Sequence, residues 1–390
     1  MNLDPDLLAA LDAGETPKVI SLRFGEEAGR WSSVQSELRQ KARSRFGEQA
    51  SRMLFVREAL EQASHPLAAR YRASLFPAGE TVVDLTAGIG SDLIALAARG
   101  PARGIELDPE RAAYAAHNTG VPVAAADALR TELTPYWIAD PARRSGGRRI
   151  IDADDFAPPL SSLLERARTA NLAIIKLSPM LPDRVLQVDG AGLEFLSVGG
   201  ECREAMLLLG SEAQPGRRAV LITPEVTHTL DASDPGEPVT SAGAYLYDAD
   251  PAAIRAHALG SVASASRRCT SPPFSDESTG VFRIGEMPMP PLAPLGDSPG
   301  YLTGDEALES PWLRRYRVRD TGAFHVREIK EGLRRGGLRI FETKKRGVGE
   351  APLAKLKGLP KEGEPVSLIL WAVGSSIRYA LASPELASSK

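Results

Sequence analysis

The stretch Thr81 to Ala98, TVVDLTAGIGSDLIALAA, sets an acid, a glycine-rich turn and a helix-forming run directly behind a short β-branched strand. Residue types in that order suit a nucleotide-like ligand. Gly88 and Gly90 let the backbone approach a ligand with no β-carbon between them, and the helix that follows offers free N–H groups at its N-terminus. A dinucleotide fingerprint wants a further glycine three residues on, where Leu93 stands, and the loop lacks the Gly-Lys-Ser/Thr ending that cradles a triphosphate. Asp84, at the strand end, suits a ligand that carries an ammonium group. About twenty residues later RGIELD ends in Glu106, where a carboxylate accepts both hydroxyls of a ribose, and VAAADAL then puts Asp127 where an exocyclic adenine amine would fall. Acids at successive strand ends in this order describe an adenosyl amino acid. The competing reading is local, because glycine after a strand serves any tight turn and a strand-end acid often caps the next helix.

On these residues, 81–210 resemble a class I S-adenosylmethionine-dependent methyltransferase, with DLTAGIGSD as the first motif, Glu106 as the acid of the second strand and Asp127 as that of the third. The resemblance implies a Rossmann-like α/β core that binds S-adenosylmethionine. Asp84 and the Ala87, Gly88 and Gly90 turn would hold the methionine part, Glu106 the ribose and Asp127 the adenine.

The fourth strand ends in IADPARRSGGRR, with Asp140 and Pro141 where many base-methylating members of that superfamily carry Asp/Asn-Pro-Pro-aromatic. Ala142 and Arg143 depart from that pattern, which counts against methylation of a base amino group. An arginine still stacks on a base or clamps a phosphate, so Arg143 and Arg144 keep a nucleic-acid role open. Asp140 is the candidate for orienting or deprotonating the methyl acceptor, with Pro141 and Arg143 beside it. Lys176, in IIKLSPML, either faces the same crevice as a substrate contact or is a surface lysine. Methyl transfer asks mainly for alignment of an electrophilic sulfonium with a desolvated nucleophile.

Residues 312–346 hold twelve Lys/Arg against four Asp/Glu, while the whole chain carries a net charge of -3. Arg314, Arg315, Arg317 and Arg319 alternate along a strand-like piece, and Lys344, Lys345 and Arg346 follow further on. Charge of that density attracts phosphates whatever the base sequence. A class I core followed by a small basic α/β module is similar to a bacterial methyltransferase group with a C-terminal THUMP-like domain, which implies a structured RNA substrate, tRNA or rRNA. A solvated basic face that packs on the acidic remainder is the plainer alternative. Other functional readings are a small-molecule or protein methyltransferase and a non-catalytic RNA-binding protein that retains the fold.

The elements that must position these residues follow from texture. Residues 1–75 read as a helical region, 76–223 as the methyltransferase domain with a mostly parallel sheet, 224–311 as a Pro/Gly-rich intermediate region, and 312–390 as the basic module. EAMLLLG (204–210) and RAVLIT (218–223) read as an antiparallel hairpin closing the sheet edge. With 390 residues, several domains are expected. The acidic N-terminus does not read as an export signal, no apolar run is long enough to span a membrane, and Cys202 and Cys269 form no CxxC pattern. A cytoplasmic protein without a metal site is expected.

Overall fold

The structure is a computed structural model that describes residues 3–132, 134–143, 155–268 and 292–385, with the side chains of Arg143, Arg267 and Arg268 excepted. The chain divides into two units. The first comprises Met1–Gly199, Arg203–Gly216 and Ile222–Thr227; the second comprises Gly200–Cys202, Arg217–Leu221 and His228–Lys390.

The first unit opens with helices α1 (Pro5–Asp12), α2 (Pro17–Phe24), α3 (Glu26–Phe46), α4 (Arg57–Gln62) and α5 (Pro66–Ser74). Asp4 and Thr16 cap α1 and α2 with side-chain oxygens, and each helix starts on a proline whose missing N–H costs nothing at that position. Strands and helices then alternate: β1 (Val82–Asp84), α6 (Ser91–Arg99), β2 (Ala102–Glu106), α7 (Pro109–Thr119), β3 (Val123–Ala125) and β4 (Tyr136–Ala139). A two-residue ribbon pairs β5 (Ala142–Arg143) with β6 (Phe156–Ala157). After it come α8 (Leu160–Ala167), β7 (Leu172–Leu177), α9 (Asp183–Leu186), β8 (Gly192–Val198) and β9 (Glu201–Leu209).

From one edge these strands run in the order β3-β2-β1-β4-β7-β9-β8. The strands β3, β2, β1, β4 and β7 are mutually parallel and β9 is antiparallel to β7. The chain leaves β1 toward β2 and β3, then returns to place β4 on the other side of β1. Ligands bind at such a switch point, outside the carboxyl ends of the strands. β1, β4 and β7 are buried along their whole length, as apolar runs covered on both faces must be.

The hairpin differs from the expectation. β9 lies between β7 and β8, so its hairpin partner is 192–198, turned by Gly199 and Gly200, both at positive φ, rather than 218–223. A Gly-Gly pair is the stronger hairpin signal, because both central residues of a tight type I′ turn need positive φ. The longer SEAQPG linker carries no such constraint.

The N-terminal helices are fastened to the core through backbone groups. The Gln35 side chain donates to Phe55 O and accepts from Phe55 N, each at 2.9 Å. Asn118 on α7 accepts from Leu54 N at 2.7 Å and donates to Leu54 O at 2.9 Å and Ile89 O at 2.8 Å. Leu38, Ala42, Phe55, Leu60 and Ile89 share one apolar cluster, so α3 packs directly behind the glycine turn. Burial of each large member contributes roughly 1.5–3 kcal/mol.

The second unit holds β10 (Gly216–Ile222, by its residues 217–221), β11 (Thr227–Asp231), β12 (Tyr245–Ala249), α10 (Pro251–Arg255), α11 (Leu259–Ala265) and β13 (Arg267–Arg268). It continues with β14 (Ala293–Pro294), β15 (Tyr301–Gly304), β16 (Leu308–Glu309), β17 (Leu313–Ala323), α12 (Val326–Gly336), β18 (Leu338–Arg346), β19 (Glu364–Val373) and β20 (Ser376–Glu385). A seven-stranded sheet runs β14-β15-β12-β17-β20-β19-β18, so the compositional change at Trp312 falls within one sheet. Among the described residues no helix is long and apolar enough to cross a membrane, and no group of three or more His, Cys, Asp or Glu could hold a metal ion.

Candidate functional site

β1 delivers Asp84 to the carboxyl edge of the sheet, where the carboxylate is buried and accepts from Thr86 N at 3.1 Å. Among the described residues no ion pair reaches it. Burial, and next the nearby Asp92 charge, push its carboxyl up to about 8. An acid in that state is short of a cationic partner.

The turn after Asp84 puts Gly88 at φ +56 and Gly90 at φ +91. A β-carbon at Gly90 would fall 2.7 Å from Thr119 Cγ2, whereas one at Gly88 would meet nothing within 4 Å. The two glycines therefore serve different ends: Gly90 lets α6 pack on α7, and Gly88 keeps the open side of the turn clear. Gly90→Ala is expected to destabilise the protein by about 2–4 kcal/mol in urea unfolding, the left-handed backbone and the overpacking against Thr119 together. Gly88→Ala should cost about 1–2 kcal/mol, for the left-handed backbone alone. Equal losses at the two positions would refute this division.

Register brings the other acids to the same edge, since Asp84 pairs with Gly104 on β2 and with Ile138 on β4. Glu106 is buried and accepts from Gly88 N at 2.8 Å through Oε2 and from Asp108 N at 3.0 Å through Oε1. Each carboxylate oxygen keeps further acceptor capacity. Asp127 caps a short 3₁₀ turn by accepting from Leu129 N at 2.9 Å, and its other oxygen lies 3.6 Å from Arg130. The capping alternative thus holds for Asp127 in part, and its carboxylate remains partly exposed. Leu107, 72% exposed directly after Glu106, is an apolar surface the sequence reading missed. Its signal was a large aliphatic residue immediately after a strand-end acid.

Asp140 emerges at the end of β4. Its N–H donates to Thr86 Oγ1 at 2.6 Å, and its carboxylate, half-exposed, takes Lys176 Nζ at 2.6 Å. Lys176 is neither a surface lysine nor an open substrate contact. It is buried on β7 and also donates to Asp92 at 2.9 Å and Ser64 Oγ at 2.6 Å. Burial opposes its charge, but Asp140 and Asp92 outweigh it and hold the ammonium above the usual lysine range. Asp92 in turn pairs with fully buried Arg72, which also pairs with Glu204 on β9. Against the burial that would raise it, Arg72 and Lys176 hold the Asp92 carboxyl well below its ordinary value. The run Glu204, Arg72, Asp92, Lys176, Asp140 is therefore continuous, with only its last member open to solvent.

Pro141 is buried and Ala142 exposed, Arg143 is described in its backbone alone, paired with Phe156 in the ribbon, and Arg144 lies outside the described residues. The basic triplet proposed for phosphates is engaged elsewhere. Lys344 pairs with Asp248 at 2.9 Å, Arg346 with the same carboxylate at 3.1 Å, and Lys345 with Glu350.

A mostly parallel sheet that switches at β1, with acids at the ends of β1 and β2 around a glycine turn, is the class I methyltransferase fold. No family model matches the chain. It is 32% identical over 373 residues to an uncharacterized S-adenosylmethionine-dependent methyltransferase of Mycobacterium tuberculosis, with the same figures in two strains, across 90% of this chain and 95% of that protein. A crystal structure from Porphyromonas gingivalis, described as a candidate methyltransferase, shares the fold with a TM-score of 0.70 at 21% identity over 99% of this chain and 100% of that one. The chain belongs to the S-adenosylmethionine-dependent methyltransferases.

Proposed function

We propose that the first unit binds S-adenosylmethionine through Asp84, the turn at Ala87, Gly88 and Gly90, Glu106 and Asp127, and that Asp140 orients a methyl acceptor on RNA. The observation that carries the cofactor assignment is the buried Asp84, raised toward neutrality beside a turn whose Gly88 faces open space. An ammonium group supplies the missing positive charge. Glu106 reaches the ribose hydroxyls, Leu107 offers an apolar face to the adenine, and Asp127 accepts from its amine. The cofactor supplies an electrophilic methyl group on a sulfonium. The protein aligns the acceptor with it and excludes water, which accounts for most of the rate gain such a transfer requires. Pro141 fixes the chain beside Asp140, and Arg143 and Arg144, close behind in the sequence, are candidate contacts to base or phosphate.

The RNA assignment rests on charge. Lys344 and Arg346 share Asp248, but Arg314, Arg317, Arg334, Lys355, Lys357 and Lys361 are exposed and carry no ion pair among the described residues. The basic segment resembles a THUMP-like module, and this reading assigns it the RNA, in a cytoplasmic enzyme. A small-molecule or protein acceptor is favoured by one observation, the internal pairing of the Lys344–Arg346 triplet.

Calorimetry with S-adenosylmethionine tests the first claim, and saturable binding is expected. Incubation with labelled cofactor and total cellular RNA, followed by nucleoside mass spectrometry, tests the second. Methylated nucleosides should accumulate, and RNA binding should weaken steeply between 50 and 200 mM salt, by roughly 10³-fold or more for six or more phosphate contacts. Labelled small molecules or protein in place of RNA would overturn the acceptor assignment.

A further inference from the structure

We propose that Lys176 is a positioning residue for methyl transfer: its buried ammonium, anchored by Asp92 and Ser64, clamps one carboxylate oxygen of Asp140 so that the other is presented to the acceptor. The inference rests on the reading of Asp140 given above.

A half-exposed aspartate on a strand end ordinarily samples several rotamers. Asp140 is held twice, at its N–H by Thr86 Oγ1 and at Oδ2 by Lys176 Nζ, each at 2.6 Å. Thr86 also donates its N–H to Asp84, so one residue spaces the two acids of the site. Lys176 in turn cannot swing away, because Asp92 and Ser64 hold the same ammonium from behind. Asp92 is fixed by Arg72, and Arg72 by Glu204. Four elements, α5, α6, β7 and β9, thus converge on the orientation of one carboxylate.

Stability alone is a poor reason for the arrangement. Buried ion pairs repay their desolvation incompletely, and apolar residues of similar size usually stabilise a core as well or better. The network has a single exposed end, and that end lies at the carboxyl edge of the sheet beside Asp84. In the transfer, the acceptor's lone pair forms the bond to the methyl carbon while the carbon–sulfur bond breaks and its electron pair stays on sulfur. Positive charge passes to the acceptor, and a carboxylate fixed toward it stabilises that charge at no cost of reorientation.

Two arms test this on the full chain. In competitive acetylation with acetic anhydride, read residue by residue by peptide mass spectrometry, Lys176 should react at least about tenfold more slowly than exposed Lys361, because it is buried and its proton is held by two carboxylates. Asp140→Asn, at a half-exposed site, should raise the Lys176 rate several-fold. Equal reactivity of the two lysines, or a Lys176 rate indifferent to Asp140→Asn, overturns the clamp. In the second arm, Lys176→Met should lower kcat for methyl transfer to total RNA by roughly 10- to 100-fold, with cofactor Kd by calorimetry within about threefold, and Lys176→Arg should recover part of the loss. Unchanged kcat in Lys176→Met, or loss of cofactor binding in step with kcat, overturns the assignment. Wild-type protein that binds cofactor yet labels no RNA defeats only the RNA reading, and acetylation then decides the clamp. Wild-type protein that binds no cofactor defeats the proposed function instead.

Discussion

Asp84→Asn is expected to weaken S-adenosylmethionine binding by about 10- to 100-fold, the worth of one charge-assisted hydrogen bond in a dry site. The same substitution should make the free protein more stable at pH 7 and above. The free Asp84 carboxyl is pushed up to about 8 by burial and by Asp92, whereas in the unfolded chain it titrates near 3.8. A raised carboxyl stabilises the fold fully below about pH 4, and that contribution fades as pH rises toward 8. Asparagine does not ionise, so the variant should lack this decline and gain at least about 1 kcal/mol over wild type by pH 8. The wild-type acid must also lose its proton to receive an ammonium group. Calorimetry near pH 7 in buffers of different ionisation enthalpy should therefore detect proton release on cofactor binding, absent from the variant. Equal cofactor affinity in the two proteins would remove Asp84 from the site.

Arg72→Met is expected to cost about 3–5 kcal/mol, the largest effect on stability among the residues described. The substitution removes the guanidinium from buried Asp92, which keeps only Lys176, and from largely covered Glu204. Burial works against the Arg72 charge, yet Asp92 and Glu204 overcome it and raise its affinity for the proton above that of a free arginine. Urea unfolding followed by hydrogen exchange at β4 and β7 isolates the first unit from the second. The triple variant Arg72→Met, Asp92→Leu, Glu204→Leu should regain part of the loss, because no carboxylate is then left without its cation and Lys176 keeps Asp140. A single-variant loss under about 1 kcal/mol would show that water already reaches the pair.

The glycine turn was legible in the sequence because its constraints are local. A backbone that turns sharply after β1 demands glycine at fixed offsets, and alternating strands and helices carry Glu106 to the same sheet edge as Asp84 by register. The charge network was not legible for the opposite reason. Arg72 meets partners 20 and 132 positions away, and Lys176 meets Ser64 and Asp140 across 112 and 36. No periodicity links such positions, so Lys176 read equally well as a crevice or a surface residue. The Lys344–Arg346 triplet misled in the same way, because Asp248, which absorbs two of its charges, lies 96 and 98 residues upstream. The hairpin misreading was different in kind. Residues 192–198 are as buried as a central strand requires, and their glycine pair signalled the tighter turn that the longer polar linker only imitated.

Asn118 has a consequence for how this enzyme can be divided. One amide group holds Leu54 by both its N–H and its carbonyl and, with the same nitrogen, the carbonyl of Ile89 inside the glycine loop. The leading helices are thereby a splint for the glycine loop. A fragment trimmed to begin at β1 would keep every residue proposed to hold the cofactor and lose the brace that holds the loop in shape.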